Sequence, residues 1–136
     1  MNHRFALVGA GLLGATGVAA GAFGAHALRE FLLDRGTLDV WETGVHYQLL
    51  HAAALIGAAA WLRAERAPAA VARAAWAVRC WIGGVLLFSG SLYLLAAGAP
   101  RWVGPITPVG GLALIVGWIF LIGSAWSGGP AAGQPA

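Results

Sequence analysis

The chain has 136 residues, 60% of them hydrophobic and only 10% charged, far below the roughly 25% charged residues of a soluble domain. Its net charge of +3 comes without a single lysine or basic run, which argues against a nucleic-acid-binding surface. The lone cysteine, Cys80, excludes an intrachain disulfide and a cysteine-based metal site.

A hydrocarbon core of roughly 30 Å takes about 20 mainly apolar residues per helix. Four windows meet that need without an internal Lys, Arg, Asp or Glu: Phe5 to Leu28, Val45 to Leu62, Cys80 to Ala99, and Thr107 to Trp126. The first follows Arg4 and ends near Ala25-His26-Ala27, the small-x-small form of a signal-peptide cleavage site. Its apolar run is longer than the usual 7–15 residues of a signal core, so it is read as a retained span. Leu28 to Arg35 then reads as a short amphipathic helix, with Phe31, Leu32 and Leu33 apolar and Arg29, Glu30 and Asp34 polar. Gly36 is its expected stop, and Thr37 the expected N-cap of the next helix, with Asp39 near that helix's positive end. This helix is expected to run unbroken to Leu62. The connector Arg63 to Arg79 is rich in alanine and arginine; Pro68 can start a helix there, and Arg66, Arg73 and Arg79 with Trp76 suit the headgroup layer. Pro100, Pro105 and Pro108 mark a short, stiff third connector. Residues 127–136 are too rich in glycine and proline to order themselves and are expected to be a mobile tail.

Six of the seven tryptophans (Trp41, Trp61, Trp76, Trp81, Trp102, Trp126) fall near these span ends, as an interfacial aromatic belt requires, and only Trp118 lies well inside a span. Arg4, Arg63, Arg66, Arg73 and Arg79 belong to one side of the membrane, and Arg29, Arg35 and Arg101 to the other. The positive-inside rule therefore predicts that both termini are cytoplasmic.

Helices associate in lipid through close contact of small residues. In span one, Gly14, Gly17, Gly21 and Gly24 fall within an arc of about 80°. Span three places Gly83, Gly90 and Ala97, and span four Gly110, Gly117 and Ser124, at the seven-residue spacing of a left-handed bundle seam. These stripes serve either the internal packing of the bundle or the docking of another subunit.

The polar residues of the spans are His26, then His46, Tyr47, Gln48 and His51, then Ser89, Ser91 and Tyr93, and Thr107. With the termini inside, all are expected in the outer half of the membrane or at its outer surface. Tyr47, Gln48 and His51 share an arc of about 100°. Such a cluster can hold helices together by hydrogen bonds, carry protons or cations, ligate haem or metal, or bind a partner. His46 and His51 are five residues apart instead of one turn, which disfavours ligation. No Ser-His-acid triad, phosphate-cradling loop or paired intramembrane carboxylate is apparent.

The segments Gly21-Ala22-Phe23-Gly24-Ala25-His26, Trp41 with Tyr47-Gln48 and His51, Phe88-Ser89-Gly90-Ser91-Leu92-Tyr93, and Thr107-Pro108-Val109-Gly110-Gly111 with Gly117-Trp118 occur in this order. Together they resemble domain-of-unknown-function family 423, small bacterial inner-membrane proteins with eukaryotic transmembrane relatives, over roughly residues 4 to 126. The resemblance implies a polytopic helical membrane protein and brings no activity, substrate, ligand or catalytic residue.

These readings predict an all-α integral membrane four-helix bundle with short amphipathic interfacial helices, one domain over residues 1–126. The expected role is a non-enzymatic accessory, stabilising or assembly subunit of a larger membrane complex in a bacterial inner membrane. The alternative is a small transporter or proton-conducting protein using His51, Tyr47, Gln48 and His26. No cofactor, metal or catalytic residue is expected. The expected partners are the lipid bilayer and other membrane subunits or further copies of the chain, not nucleic acid.

Overall fold

The computed structural model describes residues 3–65 and 67–127. Arg66 and the tail beyond Ser127, whose mobility was an expectation above, lie outside them. Five α-helices follow in chain order: α1 (His3–Ala25), α2 (Arg29–Asp34), α3 (Leu38–Ala64), α4 (Pro68–Ala96) and α5 (Ile106–Trp126), with a 3₁₀ turn at Arg101–Val103 before α5. No strand occurs among the described residues. Four segments are long and apolar enough to cross a membrane: α1, α3, α4, and the stretch Arg101–Trp126.

The ends of these helices follow local chemistry. α2 stops in a Schellman motif: Gly36 takes φ +65°, its N–H reaches Leu33 O at 2.9 Å, and Thr37 N–H reaches Leu32 O at 2.9 Å. α4 ends in the same way, with Gly98 at φ +101°, Gly98 N–H on Leu95 O and Ala99 N–H on Leu94 O. α4 starts at Pro68, whose missing N–H costs nothing in a first turn. Thr37 departs from its expected capping role. Its hydroxyl donates to Ala96 O at 3.0 Å and ties the start of α3 to the end of α4.

The long arginine-rich connector is not a separate interfacial helix. α4 runs without a break from Pro68 to Ala96, leaving only Glu65 to Ala67 between α3 and α4. Its alanines supply the reason: Ala70, Ala74, Ala75 and Ala77 are buried, so this stretch packs like the span it continues. α2, with Leu32 fully buried between exposed Phe31 and Leu33, is the one short amphipathic helix of the described chain.

Successive spans run antiparallel, and the main contacts are α1 with α3, α3 with α4, and α4 with α5. α3 and α4 thus form the middle of the bundle, with α1 and α5 flanking them. The core is built mainly from Leu55, Val78, Trp81, Val85 and Leu114 among many alanines. Glycine sets the close approaches. A methyl at Gly17 would lie 2.8 Å from Leu49 Cδ2, one at Gly24 2.5 Å from Trp41 Nε1, and one at Gly117 2.5 Å from Trp81 Cδ1. A methyl at Gly110 would run into the backbone of Phe88. A methyl at Gly21 would sit tightly against Val45 Cγ1 at 3.3 Å, and one at Gly14 would meet Ala52 Cβ at an ordinary 4.0 Å.

On α4 the expected seam is displaced by one residue. A methyl at Gly83 or Gly90 would meet nothing within 4 Å, whereas one at Gly84 would lie 2.6 Å from Leu114 Cδ2. One residue turns a helix by about 100°. The face that packs α4 against α5 carries Trp81, Gly84, Val85 and Phe88, and this rotation leaves Gly83 and Gly90 beside open space, Gly90 on the side of α4 toward α1.

Candidate functional site: hydrogen bonds between the spans

Gln48 is the hub of the polar residues. It is only 5% exposed, and α3 holds it where α1 and α4 converge. Its Nε2 donates to Leu13 O at 2.9 Å and to Thr16 Oγ1 at 2.7 Å, while its Oε1 accepts from the Tyr93 hydroxyl at 2.8 Å. Thr16 passes its own proton to Leu12 O at 2.7 Å. One side chain therefore joins three helices through bonds whose donors and acceptors all match. Gly44, one turn earlier, makes room: a methyl there would come within 2.8 Å of Tyr93 Cε1. Trp41 also packs on the Tyr93 ring, with centroids 4.7 Å apart, and its indole N–H reaches back to Ala20 O at 2.9 Å.

His51 is 2% exposed and packs against a pair of touching tryptophans, its ring centroid 6.1 Å from Trp81 and 6.0 Å from Trp118, whose own centroids are 4.7 Å apart. Its Nδ1 is 2.8 Å from Tyr47 O, a pure acceptor, so Nδ1 carries the proton. The Trp118 indole N–H, a pure donor, points at Nε2 at 3.2 Å, so Nε2 is the acceptor. The partners thus select one neutral tautomer. α3 begins at Leu38, as the expected cap at Thr37 implied, and His51 stands at the middle of this helix.

The other predicted residues divide. Ser91 donates to Phe88 O at 2.9 Å, so the Thr107 hydroxyl, 2.7 Å away, donates to Ser91 and links α4 to α5. The Tyr47 ring is partly exposed and lies 4.6 Å from Phe88, centroid to centroid. Ser89 is 1% exposed, and its hydroxyl has no hydrogen-bond partner. His26, in the turn after α1, and His46, on the outward face of α3, are exposed and stand apart from these networks.

Reading by sequence missed several participants. Thr16 and Trp118 complete the Gln48 and His51 networks. At the opposite end, Ser124 accepts from the Trp61 indole at 2.9 Å and donates to Ala70 O at 2.8 Å, joining α3, α4 and α5. Interhelical polar contacts therefore occur at both ends of the bundle and at its middle, and are not gathered at one end. The available signals were Trp118, the one tryptophan deep in a span, and Ser124, which had counted only as a small residue in a seam.

Two open spaces adjoin these networks. One, of about 330 Å³, lies between α3 and α5 and is lined by Gly57, Trp61, Trp81, Trp118 and Leu121. The other, also about 330 Å³, lies between α1 and α4, lined by Thr16, Gln48, Leu86, Gly90 and Tyr93. Among the described residues no group of three or more His, Cys, Asp or Glu side chains is placed to hold a metal ion.

Comparison with known proteins follows the same segments. The family described as protein of unknown function DUF423 matches residues 20–111, from the last turns of α1 to the first turn of α5. The UPF0382 membrane protein YwdK of Bacillus subtilis is 40% identical over 108 residues, covering 79% of this chain and 85% of that protein. The UPF0382 inner membrane protein YgdD of Escherichia coli is 36% identical over 124 residues, covering 90% and 89%. A UPF0382 membrane protein of Haemophilus influenzae is 38% identical over 104 residues, covering 76% and 79%. No solved structure matches the chain.

Proposed function

Because the chain belongs to the DUF423 family of membrane proteins, whose description assigns no activity, its role is read from its own residues, and we propose that it is a non-enzymatic accessory, stabilising or assembly subunit of a larger membrane complex. Its place is the inner membrane, the location named for the Escherichia coli relative. The observation that carries this reading is the division among the glycines. Gly17, Gly24, Gly84, Gly110 and Gly117 pack the bundle internally, while Gly83 and Gly90 have open space beside them. Small residues with open space beside them let the backbone of a neighbouring helix come close, which is how helices associate in lipid.

Gly90→Leu separates fold from assembly. It fills open space, so helicity and thermal stability should hold while partners or further copies are lost after mild-detergent purification and native mass spectrometry. Recovery of the wild type only as a partner-free species would count heavily against the proposal.

The second reading, proton or cation conduction, is favoured by the space beside Gln48, Thr16 and Tyr93. It is opposed by His51, since a proton added at Nε2 would face the Trp118 N–H and break that bond. Liposomes holding the wild type should therefore show no proton flux; flux that falls on His51→Ala would reinstate conduction.

A further inference from the structure

α1 packs on α3 and α5 packs on α4, so α1 and α4 stand apart with an open cavity of about 330 Å³ between them. Thr16 of α1, Gln48 of α3 and Tyr93 of α4 line it together. The rest of its wall is apolar, with Leu13 on one side and Val85 and Leu86 on the other. At 1.5 Å per residue, Gln48 lies about 4.5 Å along α3 from mid-helix His51, well inside a hydrocarbon layer of roughly 30 Å.

The hydrogen-bond capacity left at this cavity is all of one kind. Both Gln48 Nε2 protons are used, on Leu13 O and Thr16 Oγ1. The Thr16 proton goes to Leu12 O, and the Tyr93 proton goes to Gln48 Oε1. Gln48 Oε1, Thr16 Oγ1 and Tyr93 Oη can each accept one further bond. No side-chain donor remains, because the other lining residues are all apolar.

This pattern selects an occupant. An anion brings only acceptors and would find nothing to bond. An ammonium group in hydrocarbon needs a counter-charge, and no carboxylate lines the cavity. A water molecule, with a share of about 30 Å³ in the liquid, could use the acceptors but would leave most of the apolar wall uncovered. A neutral alcohol with a hydrocarbon body satisfies both parts, its O–H on the oxygens and its chain against Leu13, Val85 and Leu86.

We propose that the cavity between α1 and α4 binds the hydroxyl end of a neutral, membrane-dissolved alcohol. The site is complete within one chain and requires no second subunit, so it stands apart from the subunit reading above.

The probe is hexadecanol with a photoreactive diazirine in its chain, added to the full-length protein in phosphatidylcholine nanodiscs. Peptide mass spectrometry locates the label, which should collect saturably on Leu13–Ala20 of α1 and Leu86–Tyr93 of α4. Plain hexadecanol should compete about fivefold better than its methyl ether, which has no O–H, and better than hexadecanoate. Thr16→Val removes one acceptor and frees a Gln48 N–H for an ether oxygen, while Gln48 keeps its bond to Leu13 O. The preference for alcohol over ether should then shrink by about fivefold. Gly90→Leu fills the cavity and should abolish saturable labelling. Gly83→Leu, which also meets open space but does not line the cavity, should leave it intact. Equal competition by the alcohol and its methyl ether assigns the cavity to ordinary acyl chains and overturns the proposal. Label spread along every lipid-facing helix overturns it as well, as does an undiminished preference in Thr16→Val or an equal loss in the two glycine variants.

Discussion

Buried hydroxyls in this bundle are not equivalent, because their value depends on partners. Ser124 both accepts from Trp61 and donates to Ala70 O, whereas the Ser89 hydroxyl has neither kind of partner. Removing one side of a buried bond leaves the other side unsatisfied, at about 1–3 kcal/mol. Hydrogen bonds between membrane helices average somewhat less, about 0.6 kcal/mol. Ser124→Ala should therefore lower unfolding stability by about 1 kcal/mol. Ser89→Ala should be neutral or slightly stabilising, because it removes a buried group that has nothing to bond. Gln48→Leu should be the most costly of the three, since it strands the Tyr93 hydroxyl and two acceptors on α1. Reversible unfolding in mixed micelles measures all three, and a Ser89→Ala loss as large as that of Gln48→Leu would contradict this ranking.

At the level of whole helices, one residue of rotation decides what a glycine does. Gly83 and Gly84 are neighbours in sequence, yet only Gly84 touches α5, through Leu114. Gly117 makes the corresponding contact from the α5 side, against Trp81. Overpacking a close contact typically costs about 1–3 kcal/mol. Gly117→Ala and Gly84→Ala should each lower the unfolding midpoint, while Gly83→Ala should leave it unchanged or raise it slightly through better helix propensity. The Schellman caps give a parallel contrast. Gly36 stands at φ +65°, a left-handed conformation that other residues adopt at moderate cost, whereas Gly98 stands at φ +101°, outside that region, and a side chain there must also push the flexible Arg35 guanidinium aside. Gly98→Ala should thus be the more damaging change in thermal unfolding.

Over the whole molecule, charge is divided unevenly between the two ends. Five arginines and one acid belong to the end that carries both termini, and three arginines and four acids belong to the other. The positive-inside rule acts on arginine and lysine more than on acids, so the expected orientation has both termini in the cytoplasm. A fluorescent reporter fused to the C-terminus should be active there, and alkaline phosphatase at the same position should be inactive. The opposite pair of results would reverse the orientation.

Much of this was legible from residues alone. Span existence follows from local hydropathy, because any helix of about 20 apolar residues satisfies its own backbone in lipid whatever its neighbours do. The stop at Gly36 and the start at Pro68 are equally local, set by φ and by a missing N–H. Helix rotation is different. Whether α4 turns Gly83 or Gly84 inward depends on the shapes of Trp81, Leu114 and Phe88 together, and small residues lie on both sides of the helix. The same holds for the polar residues: Gln48, His51 and Ser91 were identifiable as buried candidates, but Thr16, Trp118 and Ser124 became their partners only through packing. Sequence by itself thus determined that the chain is a four-span helical membrane protein with its arginines unevenly placed. Only the tertiary structure decided which faces meet and which hydrogen bonds close, because those depend on the rotation and depth of each helix against all the others.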